Sequence, residues 1–435
     1  MGMTFPEQVA IFLGKCVSRL STAFGIGAGA TWPGEVALTL SPGILMPLAK
    51  QFRHGVILVC GTNGKTTTSL MIKTILHYEE LKVVTNDSGA NLLNGLVSAC
   101  VKKASFSGRI SADWGVFEVD ENSLPVILKY VTPKFIILLN LFRDQLDRYG
   151  EVDVIAEKWN KAVKSLKNDT TLVCNADDPL VASIGKKSGG AAVYFGLAKK
   201  TTQDAGIDHA TDSIFCLNCG SRLSYNNYYF SHLGDWYCRV CGEKRPSLTL
   251  DFWESPLPGL YNQYNAMAAV LTAQRVGIHN RHIKEALTGF APAFGRQEEK
   301  IVNGKKVKLF LSKNPTGFNA SLRAVLDMKP RIILLSLNDR IPDGRDVSWI
   351  WDVDFEMIPE SVAVVVTGDR VYDMALRMQY GKRMRDGKNL IAEPDVRKAL
   401  QVALSRITQG ETLCVLPTYS AMLELRKIIT GRKIL

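Results

Sequence analysis

Five apolar residues, Val56 to Cys60, run directly into Gly61-Thr62-Asn63-Gly64-Lys65-Thr66-Thr67-Thr68, and this junction constrains the fold more than any other part of the chain. The apolar run reads as a buried strand and the Gly/Thr/Asn segment as a tight loop. Met71, Ile72, Ile75 and Leu76 then fall at helical spacing as far as Tyr78. Strand, glycine loop and helix in that order hold a nucleotide triphosphate. The glycines let backbone N–H groups approach phosphate oxygens, and the helix N-terminus adds partial positive charge. Lys65 is placed to reach the β- and γ-phosphates, and the Thr66 hydroxyl to ligate Mg²⁺. The common form of the loop has a glycine five residues before Gly64, where this chain has Val59. A purely structural turn is the competing reading.

From residue 53 to about 200, strand-like and helix-like stretches alternate: Val56–Cys60, Lys82–Thr85, Trp114–Val119, Phe135–Asn140, Thr171–Cys174 and Ala192–Phe195 are the strands. That rhythm predicts an α/β fold with a mostly parallel sheet covered on both faces. Ligands of such sheets bind beyond the carboxyl ends of the strands, where the glycine loop, Glu118, Asp120 and Asn140 all fall. Residues 205–247 interrupt the pattern, which resumes with a helix over Asn262–Val276. A second α/β unit follows, with strands at Val307–Leu311, Arg331–Leu337, Val362–Thr367 and Thr412–Leu416 and helices at Asp395–Ile407 and Ser420–Ile429. The expected organisation is a helical segment over 1–52, an ATPase domain over 53–296 and a C-terminal domain over 297–435. In the first of these, a helical stretch from Val9 to Phe24 precedes a Gly/Ala-rich segment ending at Pro33-Gly34.

At 435 residues, 46% apolar and 22% charged, the composition is that of a soluble globular protein of two or three domains. The longest apolar runs are strand-length, against the roughly 20 residues a bilayer span needs. The first ten residues carry Glu7 and no basic group, unlike a signal peptide, so the cytoplasm is the expected compartment. A net charge of +11 favours acidic partners such as nucleotides, nucleic acid or an anionic membrane face.

Four of the nine cysteines form one pattern, Cys216-x₂-Cys219 and Cys238-x₂-Cys241 with 18 residues between the pairs. This is the spacing of a four-thiolate zinc ribbon, and four thiolates leave no open coordination position, so the role is structural. His232 lies between the pairs but is not needed as a ligand. Arg222, Arg239, Lys244 and Arg245 nearby leave a nucleic-acid contact open as the alternative. Cys16, Cys60, Cys100, Cys174 and Cys414 read as apolar filler in a reducing compartment.

Glu118 leaves a strand where a carboxylate can hold Mg²⁺ beside the phosphate loop. Asn140-Leu-Phe-Arg-Asp144-Gln145-Leu-Asp147-Arg-Tyr-Gly-Glu151 and Asn175-Ala-Asp177-Asp178-Pro179 follow two further strands. With Gly61–Thr68 and Gly259-x-Tyr261-Asn262-Gln-Tyr-Asn265, these segments resemble the central ATPase domain of the Mur ligase family, and Gly295-Arg296-Gln-Glu298 resembles its hinge into a Rossmann-like third domain. The resemblance implies a Mur-ligase-like α/β fold, here with a Cys₄ zinc-ribbon insertion. It implies ATP and Mg²⁺ bound through Gly61, Thr62, Asn63, Gly64, Lys65, Thr66, Thr67, Asn265 and Arg296, with Thr66 and Glu118 on the metal. Asn265 would contact the base, or instead cap its own helix. Departures are informative. Gln145 stands where many members have a metal-binding histidine, neither Lys158 nor Lys161 can be equated with a carbamylated lysine, and Lys313-Asn314-Pro315 replaces the Asp-x-x-His-x-Pro motif of amino-acid-adding members.

Those departures, the ribbon, and Asp343-Gly-Arg-Asp346-Val-Ser-Trp-Ile-Trp-Asp352 resemble one branch of the family: the synthetase subunits of glutamine-hydrolysing lipid II isoglutaminyl synthases. That likeness implies amidation of the D-glutamate α-carboxylate in the lipid II stem peptide through an acyl phosphate. A glutaminase needs an activated cysteine beside a histidine, and none of the six histidines stands near a non-zinc cysteine in a recognisable motif. The ammonia source is therefore expected to be a second chain, which the likeness names as a class I glutaminase of the GatD kind, completing a heterodimer at the inner membrane face. Asp346 would complete the partner's Cys-His pair, or else simply cap a turn; Asp343 and Asp352 are its rivals. An amino-acid-adding ligase related to folylpolyglutamate synthetase and a nucleic-acid-binding ATPase are the other functional readings.

Overall fold

The computed structural model describes residues 3–23, 30–86, 89–143, 152–166, 169–198, 209, 211–292, 295–381 and 389–431. Six strands, β1 (Gly55–Cys60), β2 (Val83–Thr85), β3 (Trp114–Val119), β4 (Phe135–Leu138), β5 (Thr171–Asn175) and β6 (Ala191–Phe195), form one wholly parallel sheet in the order β2-β3-β1-β4-β5-β6. These segments read as continuous apolar runs because both faces are covered. Alternation along each strand divides the core in two. Leu58, Phe117, Ile136 and Leu138 join Trp159 on one face, while Ile57, Val59, Val116 and Ile137 join Met71 and Val270 on the other.

The order places β1 between β3 and β4, so the chain leaves neighbouring strands in opposite directions and a crevice opens beyond their carboxyl ends. The expected strands all form, within a residue or two of the boundaries read from sequence.

A two-stranded hairpin, β7 (Ser224–Phe230) with β8 (Leu233–Tyr237), belongs to the insertion. The second six-stranded sheet comprises β9 (Arg296–Val302), β10 (Lys305–Phe310), β11 (Ile332–Ser336), β12 (Ala363–Thr367), β13 (Leu390–Ala392) and β14 (Thr412–Pro417), ordered β13-β12-β11-β14-β10-β9. All pairs are parallel except β9 with β10. Sequence reading missed both edge strands, the three-residue β13 and β9, whose charged side chains suit an exposed edge. The signal for β9 was present: Asn303 and Gly304 both have left-handed φ, +50° and +76°, as a two-residue hairpin turn requires.

At the N-terminus, Pro33 and Gly34 do not end a loop; they sit in the first turn of the helix Trp32–Leu40, where proline is tolerated. Gly34 donates its N–H to Ser98 Oγ at 2.7 Å, and a Cβ there would lie 1.9 Å from the Asn94 carbonyl oxygen on the helix Leu93–Lys103. Two helix backbones therefore touch at this glycine. Gly34→Ala is expected to cost about 2–4 kcal/mol, read as a lowered thermal or urea midpoint, because overpacking a backbone contact cannot be relieved by a rotamer change.

Candidate functional site at the phosphate loop

The loop after β1 is held in shape by the segment after β4. Asn63 N–H donates to Asn140 Oδ1 at 2.8 Å, and Asn140 Nδ2 donates back to the Asn63 carbonyl at 3.0 Å. Thr62 N–H donates to the Asn140 carbonyl, and its hydroxyl exchanges hydrogen bonds with both backbone groups of Phe142. Gly61 (φ +145°) and Gly64 (φ +92°) are required here. A Cβ on Gly61 would lie 2.9 Å from Leu139 Cβ, and one on Gly64 2.1 Å from Asn265 Oδ1.

Lys65 opens the helix Lys65–Tyr78 and is buried. Its ammonium donates to the Gly61 and Thr62 carbonyls and pairs with Glu121 at 3.1 Å. Glu121 escaped the sequence reading, although it stands one residue beyond Asp120 in the same strand-end cluster. Glu118 accepts from Thr66 Oγ1 at 2.9 Å through one oxygen and from Ser69 Oγ at 3.1 Å through the other. Asn86 bonds both backbone groups of Glu118 and fixes the strand end. Burial pushes the Glu118 carboxyl up from its ordinary range, opposed by the Thr66 hydroxyl, the Lys65 charge, Ser69 and Arg296. A bound Mg²⁺ fits this pair: adjacent ligands of an octahedral ion with bonds of about 2.1 Å are about 3.0 Å apart, close to the 2.9 Å between Thr66 Oγ1 and Glu118 Oε2.

Between the two sheets lies a cavity partly open to solvent. Asn63, Gly64 and Thr67 line one end, and Arg296, Lys313 and Thr316 come from the second sheet's side. Asn314 Nδ2 bridges the two units by donating to Asn63 Oδ1 at 3.2 Å. Asn265 also lines the cavity and is not a helix cap: the helix Leu260–Val276 begins after Gly259, and the Asn265 amide lies against Gly64 while donating to Asn262 Oδ1. Its capping alternative is thus set aside. Phe230 and Leu233, from the tip of the β7–β8 hairpin, complete the wall.

That hairpin belongs to the cysteine insertion, whose four sulfurs lie within 4.8 Å of one another. Cys216–Cys241 and Cys219–Cys238 are 3.6 and 3.5 Å apart. Tetrahedral zinc with bonds of about 2.3 Å needs sulfurs about 3.8 Å apart, so the residues fit the ion. Gly220 and Gly242 turn each knuckle with φ of +72° and +75°. The insert is bonded to the end of β5: Trp236 Nε1 donates to the Ala176 carbonyl, and Arg245 pairs with Asp177 at 2.7 Å. Buried His232 meets Asp178 at 3.4 Å, and its ring lies tilted against that of Phe142 with centres 4.7 Å apart. Asp177 is pushed up to about 6 by burial, with Arg245 opposing. Asp178 caps the helix Pro179–Lys186 and accepts from Leu141 N–H. These two aspartates are therefore supports for the insert and the loop.

Asp346 lies in an exposed turn and accepts from Ser348 N–H at 2.8 Å, which holds its carboxyl below the usual range. Asp343 is buried against Ser420, and Asp352 lies 3.8 Å from Arg143. Asp346 caps a turn and yet faces solvent, so both of its readings survive. The stretch Asp144 to Glu151 lies outside the described residues.

Comparison with known proteins decides the family. The chain is 32% identical over 437 residues to the lipid II isoglutaminyl synthase (glutamine-hydrolyzing) subunit MurT of Staphylococcus aureus strain COL, covering 96% of both chains. The chain belongs to the MurT family. The Streptococcus pneumoniae MurT subunit is likewise 32% identical, over 94% of both chains. The Mur ligase middle domain matches residues 59–273 and the MurT ligase C-terminal domain residues 311–422. Among solved structures, a pseudomurein peptide ligase type C from Methanothermus fervidus aligns with TM-score 0.67 at 23% identity, covering 88% of this chain and 80% of that one. Mycobacterium tuberculosis folylpolyglutamate synthase aligns with TM-score 0.59 at 15% identity, over 90% and 94%. At these identities the structures establish the Mur ligase fold and no particular substrate. For this MurT-family chain the insertion should carry one zinc per chain by elemental analysis. Cys238→Ser should lose that zinc and several degrees of thermal stability, since a structural site contributes folding energy directly.

Proposed function

We propose that this MurT-family chain is the ATP-using synthetase subunit of an amidotransferase that converts the D-glutamate α-carboxylate of the lipid II stem peptide to its amide. End-to-end similarity to the two MurT subunits carries the reading, and the Thr66–Glu118 pair beside Lys65 supplies chemistry consistent with it.

A carboxylate is a poor electrophile until one oxygen becomes a leaving group. Transfer of the ATP γ-phosphoryl group to that oxygen releases ADP and gives an acyl phosphate; ammonia then forms the C–N bond as phosphate departs. Bound Mg²⁺ would neutralise charge on the phosphates. Lys65 would exchange the Gly61 and Thr62 carbonyls for phosphate oxygens, with Glu121 still paired to its ammonium. Loop N–H groups at the helix N-terminus would hold the phosphates. Arg296, across the cavity, is on the side from which charge on the transferring group can be balanced. Phe230 and Leu233 offer an apolar wall to a heteroaromatic base near Asn265. Ammonia is small and neutral, which suits the replacement of the family's amino-acid motif by Lys313-Asn314-Pro315.

A GatD-like glutaminase is the proposed ammonia source, acting with this chain at the inner membrane face, and exposed Asp346 is the proposed third member of the partner's catalytic set. The test is amidation of a lipid II stem peptide by the chain with that glutaminase, followed by mass spectrometry. Glutamine or ammonia should each support ATP-dependent product. Asp346→Asn should keep ammonia-dependent turnover and lose glutamine-dependent turnover by about 100-fold or more. Glu118→Gln should lose both by a similar factor. ADP release stimulated by amino acids without a partner would favour the amino-acid-ligase reading instead. In a direct binding assay, Phe230→Ala is expected to weaken ATP about tenfold, the loss of one buried aromatic contact.

A further inference from the structure

The helix Phe5–Ala23 is apolar on two sides, and one of them is covered. Ala10 and Ile11 are buried with Ala37, Leu45 and Leu48, and a Cβ on Gly14 would meet the Pro33 carbonyl oxygen at 2.8 Å. Phe5, Val9, Phe12, Leu13 and Leu20 recur at the spacing of the opposite face. They are exposed: Phe5 by 79%, Phe12 by 49% and Leu20 by 56%. Phe106, from the loop after the helix Leu93–Lys103, extends this surface, with its ring 5.9 Å from that of Phe12. A contiguous apolar surface of this kind marks an interaction face.

Cations frame it. The Lys15 ammonium and the Arg19 guanidinium lie 5.5 and 5.1 Å from the centre of the Phe106 ring. Lys15 also donates to the Val101 and Lys102 carbonyls, which brings the exposed Lys102 and Lys103 to the same edge. The acids of the N-terminal helices are occupied locally, Glu7 by Thr4 N–H and Glu35 by the Asn94 amide.

We infer that this face, Phe5, Phe12, Leu20 and Phe106 framed by Arg19, Lys102 and Lys103, seats the protein on a membrane surface bearing anionic headgroups. Apolar side chains enter the boundary between headgroups and acyl chains while the cations stay with the phosphates, the behaviour of an interfacial helix. No helix among the described residues is long and apolar enough to cross a membrane, so this one would lie in the interface plane. Lysines at its edge argue against a protein partner, since protein interfaces are depleted in lysine. The inference adds a docking face to the lipid II reading and rests on that reading only for its purpose.

Sedimentation of the full chain with phosphatidylcholine vesicles, with and without phosphatidylglycerol, tests it. The chain should sediment with the phosphatidylglycerol vesicles and be released as salt rises. Phe12→Ser with Leu20→Ser should lower the partition coefficient at least about tenfold, and Arg19→Gln alone about fivefold. Amidation of a lipid-free stem peptide should be unchanged in all of these variants. Absence of vesicle binding, or equal binding by the variants, would overturn the inference. So would loss of a homodimer or of glutaminase affinity in the variants with vesicle binding intact. Vesicle binding without any amidation would leave the docking face standing and defeat the proposed function.

Discussion

The reciprocal hydrogen bonds between the Asn140 side chain and the Asn63 backbone fix the phosphate loop, and most of the site's geometry is referred to them. They hold the loop after β1 against the chain leaving β4, so closely that Gly61 has no room for a side chain, while Asn265 from the helix Leu260–Val276 closes the space at Gly64. With the loop so placed, Lys65 begins its helix at the crevice and Thr66 comes within hydrogen-bond reach of Glu118 on β3. A buried ammonium must be matched by charge or it will shed its proton. Glu121 provides that charge, and the two loop carbonyls are partners that phosphate oxygens can replace.

The insertion is more than an appendage on the sheet. Its hairpin tip contributes Phe230 and Leu233 to the cavity, and its buried His232 touches Asp178, which in turn receives Leu141 N–H next to Asn140. The four cysteines thus organise a small unit whose far end leans on the segment that shapes the loop. The fully buried Asp177, bonded to Arg245, Tyr264 and Leu197 N–H, ties the same unit to the helix Leu260–Val276.

Much of this could be read from residues alone, because strong local patterns coincide with the fold. The parallel strands are uninterrupted apolar runs, and the glycine loop and the paired cysteines have spacings that few other structures need. Glu118 and Thr66 were expected to meet, and they do. What escaped was set by tertiary contact. Glu121 looks like one more strand-end acid until Lys65 is folded against it. Phe230 and Leu233 sit between ribbon cysteines, and nothing in their sequence neighbourhood says they will face a cavity formed by residues 63–67 and 296–321. Asn265 precedes a run of small apolar residues and resembles a cap; only the position of Gly259 removes that role. The polar strand β9 alternates too weakly to be seen against its charges.

The strand order has a consequence for how such a chain comes off the ribosome. β1 is made early, yet its two neighbours, β3 and β4, end only at Val119 and Leu138, and Asn140 follows them. A nascent chain therefore carries an apolar strand unpaired on both sides until β3 is complete some 60 residues later, and on one side for about 20 more. Closing such distant pairs carries a loop-entropy cost that slows assembly and prolongs the exposure of sticky intermediates. The glycine loop can acquire its working shape only after that delay, which makes the stretch around Asn140 the point at which synthesis commits the domain to a nucleotide-binding form.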